Sequence, residues 1–212
     1  MTLRLYHYWR SSSSWRVRWA LAIKGLQCEM IPVSLLTDES EQPTHLKRNP
    51  LGYVPVLEIH SPNHDPWLLT ESTSIIEFLE ELHPKPSLFP GDAFNRARIR
   101  QLTQIINSDI QPLQNPNVVE KIFSDPKRKI EWNQLWIRNG LNAYQAIAQT
   151  TAGTFSVGDT ITAADLCLIP QCYNALRNEI QLSEFPLLER IYHDALQLTE
   201  CKKSSPEAFQ PS

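Results

Sequence analysis

At 212 residues, 42% hydrophobic and 20% charged, the chain is long enough for one large or two small domains with real cores, and global disorder is excluded. A formal net charge of −3 without a long basic run argues against a general nucleic-acid binder. Cys28, Cys167, Cys172 and Cys201 form no C-x-x-C pair and do not read as a disulfide scaffold; no apolar run reaches membrane-spanning length and no signal-like segment precedes the first strand pattern, so a reducing cytoplasm is the expected compartment.

Residues 3–8 alternate as a half-buried strand, and after four serines Trp15, Trp19, Ala22 and Ile23 recur at helical spacing. Ser11-Ser12-Ser13-Ser14 therefore falls on a strand-to-helix turn. A helix start has unpaired N–H donors and a partial positive charge, so a serine there either caps the helix or holds a thiolate or carboxylate. Arg4, Arg10, Arg16 and Arg18 lie in the first eighteen residues, which contain no acid. That charge suits a small anionic ligand and equally suits a solvated helix face.

Residues 28–33, 54–59 and 67–69 read as further strands, which makes the first part α/β. Ser72 can cap a helix whose apolar stripe is Ile75, Ile76, Leu79 and Leu82, ended by His83-Pro84. Pro84, Pro86 and Pro90 mark an interdomain linker. Beyond it the period is helical only, with Ile99, Leu102, Ile106, Ile110 and Leu113 on one stripe and Ile137, Leu141, Tyr144 and Ala148 on another. Thr162 with Asp165 has capping-box spacing and Ile161 with Leu166 that of a hydrophobic staple, a folding signal for the next helix. That helix continues through Ile169, Tyr173 and Leu176, with Pro170 as a point of kinking, and residues 206–212 read as a frayed tail. The expected organisation is an α/β domain over 1–83, a linker over 84–91 and an all-α helical bundle over 92–212.

The run Ser11-Ser12-Ser13-Ser14-Trp15-Arg16-Val17-Arg18 closely resembles the Ser-Ser-Cys-x-Trp-Arg-Val-Arg signature of zeta-class glutathione transferases, the maleylacetoacetate isomerases. The match continues in order through Asn49-Pro50-Leu51-Gly52-Tyr53-Val54-Pro55, Thr70-Glu71-Ser72, Ile110-Gln111-Pro112-Leu113-Gln114-Asn115, and Val157-Gly158-Asp159 to Asp165-Leu166. The resemblance implies a thioredoxin-like amino-terminal domain, a helical carboxy-terminal domain, a homodimer, and glutathione as cofactor.

It also assigns roles. Ser11 would stabilise the glutathione thiolate, with Ser12 supporting, while Ser13 stands where the family carries its cysteine. Val54, ahead of a cis proline, would pair with the peptide part of glutathione. Glu71 and Ser72 would receive the γ-glutamyl group, the alternative being an ordinary cap. Gln111, Asn115 and Asn117 match polar groups that reach the site from the helical domain, and otherwise look like a helix end near Pro112 and Pro116. Gln42 matches a glutathione contact, with two fewer residues following it here. Arg177, and Arg10 beside it in role, would hold the carboxylates of the substrate; the alternative for Arg177 is an ion pair with Glu179 or Glu184.

The implied reaction is cis–trans isomerisation of maleylacetoacetate, in tyrosine and phenylalanine breakdown, by thiolate addition, bond rotation and elimination. Maleylpyruvate isomerisation, general conjugation or dehalogenation of small electrophilic acids, and a non-catalytic binding role are the competing readings. With Ser13 in place of cysteine, reactions that need an enzyme thiol are disfavoured. There is no G-x-S-x-G, P-loop or G-x-G-x-x-G, and His60 with His64 flank a turn without the cluster a metal site needs.

Overall fold

The computed structural model describes residues 1–62 and 65–211; His64 lies outside them. Two compact units emerge, Met1–Ser87 with Thr199–Ser212, and Leu88–Leu198.

The first unit runs β1 (Thr2–His7), α1 (Ser12–Ile23), β2 (Glu29–Pro32), α2 (Pro43–Leu46), β3 (Val56–His60), β4 (Trp67–Leu69) and α3 (Ser72–Leu82). The sheet order is β2-β1-β3-β4, with β1 parallel to β2 and antiparallel to β3. This is the expected thioredoxin-like mixed sheet. Alternation in β1 sends Leu3, Leu5 and His7 to the helix side, where His7 meets Arg18 of α1. Tyr6 and Tyr8 join Val33, Val54 and Val56 in a cluster on the other face. Register places Arg4 opposite both Glu29 and Glu58, and its guanidinium pairs with each, at 2.7 and 3.4 Å. In α3, Ile75, Ile76 and Leu79 are buried, while Leu82 is exposed.

Two expectations are corrected here. The tail expected to fray over 206–212 does not do so across its described part: α9 (Thr199–Ser204) and a 3₁₀ turn (Glu207–Phe209) group with the first unit, with Cys201 and Ser204 buried. The cause is Arg18, which binds the Ser204 carbonyl and stacks on the Phe209 ring, a pairing that helical periodicity cannot reveal. Consequently residues 199–212 group with the first unit rather than with the helical bundle. The linker is pinned as well. Lys24, its side chain fully buried, reaches Glu80 at 2.7 Å and the carbonyls of His83 and Pro86.

The second unit contains α4 (Ala93–Gln104), a π-helical turn (Ile105–Ile110), α5 (Pro116–Ile122), α6 (Pro126–Ala148), α7 (Ala163–Arg177) and α8 (Pro186–Gln197). Ile99, Leu102, Ile106 and Ile110 are buried with Ile137, Leu141, Tyr144 and Ala148, as their stripes require; Leu113 is half-buried and Leu176 exposed. Gly140 of α6 lies against Ile110, where a Cβ would collide with that side chain, so only glycine permits this approach. The start of α7 carries the capping box: Thr162 donates to the Asp165 carboxylate from both backbone and hydroxyl at 2.9 Å. Asp165 also accepts from the Ser156 amide; burial pushes its carboxyl pKa up, against these bonds.

Candidate active site

In the first unit the geometry centres on two helix starts. Ser11 is the N-cap of α1, its Oγ accepting from the Ser14 amide at 3.2 Å, and its own amide donates to the Tyr8 carbonyl at 3.1 Å. The cap reading is thus correct, and it leaves the Ser11 hydroxyl proton for a further acceptor, since capping uses only the oxygen. Ser11, Ser12 and Ser13 are half-buried, whereas Ser14 is fully buried and accepts from the Tyr8 amide.

The second start is that of α3. Glu71, not Ser72, occupies its N-cap position, with φ +64° and no side-chain cap bond. A left-handed glutamate is costly, and it exposes the carboxylate beside the helix N-terminus. Ser72 is the first helical residue, and its buried Oγ accepts from Arg16 Nη1 at 3.2 Å.

Between them lies the loop before β3, where the Val54-Pro55 bond is cis. His45 Nε2 and Asn49 Nδ2 both hold the Tyr53 carbonyl at 3.0 Å, and Asn49 Oδ1 accepts from the Leu51 amide. Gly52 turns the chain at φ +69°. Sequence reading missed His45, because a buried histidine in a four-residue helix carries no periodic signal. Gln42 is exposed at the start of α2, its amide on the Asp38 carbonyl.

The arginine-rich start resolves into neither of its two simple readings. Arg4 is ion-paired across the sheet, Arg16 and Arg18 are buried, and Arg10 stacks over the Trp9 ring at 5.4 Å. Of the four, Arg10 is the half-exposed guanidinium at the turn itself.

In the second unit Gln111 follows the π-helical turn and is half-buried. Asn115 caps α5 by accepting from the Asn117 amide at 3.0 Å, and Asn117 is exposed. Gln114, between Gln111 and Asn115, pairs with Gln171 of α7, and Asn174 donates to the same Gln114 oxygen. Arg177 is exposed at the end of α7. Glu184, one of its two suggested ion-pair partners, is instead held by Arg138 in a two-pronged pair at 2.7 and 3.1 Å.

Elsewhere, His60 binds Glu58 through Nε2, together with the Tyr6 hydroxyl. Among the described residues no disulfide joins two cysteines, and Cys167, Cys172 and Cys201 are buried. Among the described residues no group of His, Cys, Asp and Glu could hold a metal, and no helix is long and apolar enough to cross a membrane.

Residues 5–87 match the family model for the glutathione S-transferase N-terminal domain. The chain is 41% identical over 204 residues to maleylacetoacetate isomerase of Mus musculus, covering 95% of this chain and 91% of that protein. It superposes on the crystal structure of maleylacetoacetate isomerase from Anaeromyxobacter dehalogenans 2CP-1 with bound GSH in the active site, with a TM-score of 0.91, 43% identity, and coverage of 99% and 97%. Maleyl pyruvate isomerase, a bacterial zeta-class glutathione S-transferase, gives a TM-score of 0.91 at 33% identity over 99% of each chain. Likeness of this extent over nearly the whole length makes the chain a member of the zeta-class glutathione transferase family that includes the maleylacetoacetate isomerases.

Proposed function

We propose that the protein is a glutathione-dependent cis–trans isomerase that converts maleylacetoacetate to fumarylacetoacetate, in tyrosine and phenylalanine breakdown. The observation that carries this reading is the Ser11 cap, with its hydroxyl proton available at the positive end of α1.

The donor set suits glutathione. The uncapped Glu71 carboxylate fits an ammonium, while the Ser72 hydroxyl and the first N–H groups of α3 fit a carboxylate. Val54 offers main-chain atoms for a peptide, with Gln42, Gln111, Asn115 and Asn117 as further polar contacts. When bound, glutathione supplies a thiolate able to add reversibly to the double bond of a maleyl acid. A free thiol with a pKa near 8.5 is mostly protonated at neutral pH, so the protein's task is to hold the anion.

Ser11 donates its hydroxyl to the sulfur, and the α1 N-terminus adds a positive field; Ser12 and Ser13 extend the polar surface of that turn. A shift of about two units corresponds to roughly 3 kcal/mol, within reach of a charged hydrogen bond and a helix dipole together. Arg177 and Arg10 take the substrate carboxylates, orienting the double bond, and donors at the α1 start stabilise negative charge that develops on the substrate oxygen. No residue here need supply a nucleophile, which is why serine at position 13 is compatible with the reaction.

Four cysteines without a disulfide among the described residues fit a reducing cytoplasm. Exposed Trp67 on β4 and Phe94, 84% exposed on α4, support a homodimer that covers them. Maleylpyruvate is the second substrate reading, favoured by the likeness to maleyl pyruvate isomerase.

The test is a paired assay with maleylacetoacetate and maleylpyruvate, following trans product and free glutathione in one tube. Product with undiminished glutathione supports isomerisation, and the rate ratio selects the substrate. Stoichiometric glutathione loss would favour conjugation, and glutathione binding without turnover would favour a binding role.

A further inference from the structure

The Arg18 guanidinium, only 1% exposed, directs its N–H groups to neutral acceptors in two separate parts of the first unit. Nη1 and Nη2 donate to the carbonyls of Tyr8 and Trp9, at 3.3 and 2.9 Å, immediately ahead of the α1 start. Nη1 also faces His7 Nδ1 at 3.2 Å. Nε donates to the Ser204 carbonyl at 2.9 Å, at the end of α9, and the Phe209 ring lies under the guanidinium carbon at 4.7 Å. Phe209 closes the arrangement by meeting the His7 ring edge-on at 5.2 Å.

Tyr8 is the point where this clamp meets the serine turn. Its carbonyl accepts from Arg18 and from the Ser11 amide, and its amide donates to Ser14. Ser11 caps its helix without help, so a cap alone does not call for a buried cation behind it. A planar guanidinium reaches three carbonyls in one plane, which an ammonium on a flexible stem does not. Burial lowers the Arg18 pKa to about 9, with Glu207 opposing, so the group stays charged at neutral pH.

We propose that Arg18 is a positioning residue for the Ser11 turn and that residues 199–209 are the strap that holds it, so that this segment sets how strongly Ser11 acidifies bound glutathione. This rests on the thiolate reading above. The charged and titratable groups facing Arg18 are His7 of β1 and Glu207 of the 3₁₀ turn.

The experiment is a titration of the thiolate ultraviolet absorbance of bound glutathione against pH, with kcat and KM measured in parallel. Phe209→Ala should raise the bound-thiol pKa by about one unit, a tenfold loss of thiolate at a pH below it, and lower kcat to match, with KM for the acid unchanged. Phe209→Tyr, which keeps the ring, should restore both. Arg18→Lys should behave as Phe209→Ala or worse; if it does not fold, Phe209→Ala decides alone. In a Ser11→Ala background Phe209→Ala should add nothing to the titration, because the strap acts through Ser11. A depressed wild-type thiol pKa that a folded Phe209→Ala leaves untouched, with only the thermal midpoint lowered, overturns the proposal alone. Wild-type protein whose bound glutathione titrates like the free thiol overturns the thiolate reading and the proposal with it.

Discussion

Arg16 of α1 donates from Nη1 to the hydroxyl of Ser72, the first residue of α3, at 3.2 Å, and both residues are buried. One hydrogen bond thus joins two helices near their N-terminal ends, the ends that attract anions. The Ser72 hydroxyl accepts from the cation and keeps its proton, which the proposed function directs to a ligand carboxylate; the guanidinium makes the hydroxyl a better donor. Ser72→Ala removes that donor and deprives Arg16 of an acceptor. Hydrogen bonds to charged groups contribute about 1.5–3 kcal/mol, so glutathione affinity should fall roughly ten- to a hundredfold by calorimetry. Ser72→Thr should recover most of it, and unchanged affinity in Ser72→Ala would remove Ser72 from the ligand set.

Ser11 caps α1, and the proposed function gives it a second task that substitution can separate from the first. Ser11→Ala loses the cap, at about 1 kcal/mol of stability, and the thiolate donor. Ser11→Asn keeps a capping oxygen but places no hydroxyl at the sulfur. Both should lower kcat/KM about a hundredfold or more, while only Ser11→Ala lowers the thermal midpoint appreciably. Ser13→Ala and Ser13→Cys should stay within a few-fold of wild type in isomerisation. Comparable losses at positions 11 and 13 would reverse the roles assigned to them.

His7 makes the first unit acid-sensitive. Burial, then the Arg18 charge, lowers its pKa from 6.5 to about 4. As pH falls through 6.5 the unfolded chain takes up this proton and the folded chain does not. The stability His7 contributes is therefore fully present above pH 6.5 and is lost as pH drops to about 4, by up to about 3 kcal/mol. Glu58 acts lower on the scale. Burial opposes its ionisation, but hydrogen bonds from Tyr6 and His60 and the charges of His60 and Arg4 hold its carboxyl below 4.5. Denaturant titrations at several pH values should show His7→Gln flattening the upper part of this loss and sparing the fall below it. An unchanged slope in His7→Gln would place the acid sensitivity elsewhere.

Where the sequence was legible, one element explained itself locally. The strand alternation of Leu3 and Leu5, the α3 stripe at Ile75, Ile76 and Leu79 but not at the exposed Leu82, and the Thr162–Asp165 box each follow from spacing within a few residues and stand in the structure. Ser11 as a helix cap belongs with them. What was hidden depends on partners far apart in the chain. Arg18 and Ser204, 186 positions apart, turn an apparently free tail into a packed segment, and Glu29 and Glu58 neutralise an arginine that looked available for anions. Composition near a motif records charge but not where that charge is already committed. The left-handed Glu71 was equally hidden, since a glutamate gives no advance sign of positive φ.

The helical unit carries a polar joint with a consequence of its own. Gln114 Nε2 donates to Gln171 Oε1 at 2.6 Å, Gln171 returns the bond at 3.1 Å, and Asn174 donates to Gln114 Oε1 at 2.7 Å; Gln114 and Gln171 are buried. Gln114 lies between Gln111 and Asn115 in sequence, and α7 ends on Arg177, so the joint fixes one set of proposed ligand groups to another. Gln114→Ala strands the buried Gln171 amide, at roughly 1–3 kcal/mol, and takes an acceptor from the half-buried Asn174, so the thermal midpoint should fall by several degrees. KM for the acid should rise while the bound-thiol titration stays put, because the proposed thiolate-holding residue, Ser11, belongs to the first unit. Replacing both partners, in Gln114→Leu with Gln171→Leu, leaves no reciprocal amide to strand and should restore much of the stability, although Asn174 still loses an acceptor. If the double variant recovers stability but not KM, the amides orient the loop; if it recovers both, apolar packing orients it equally well and the joint matters only for folding.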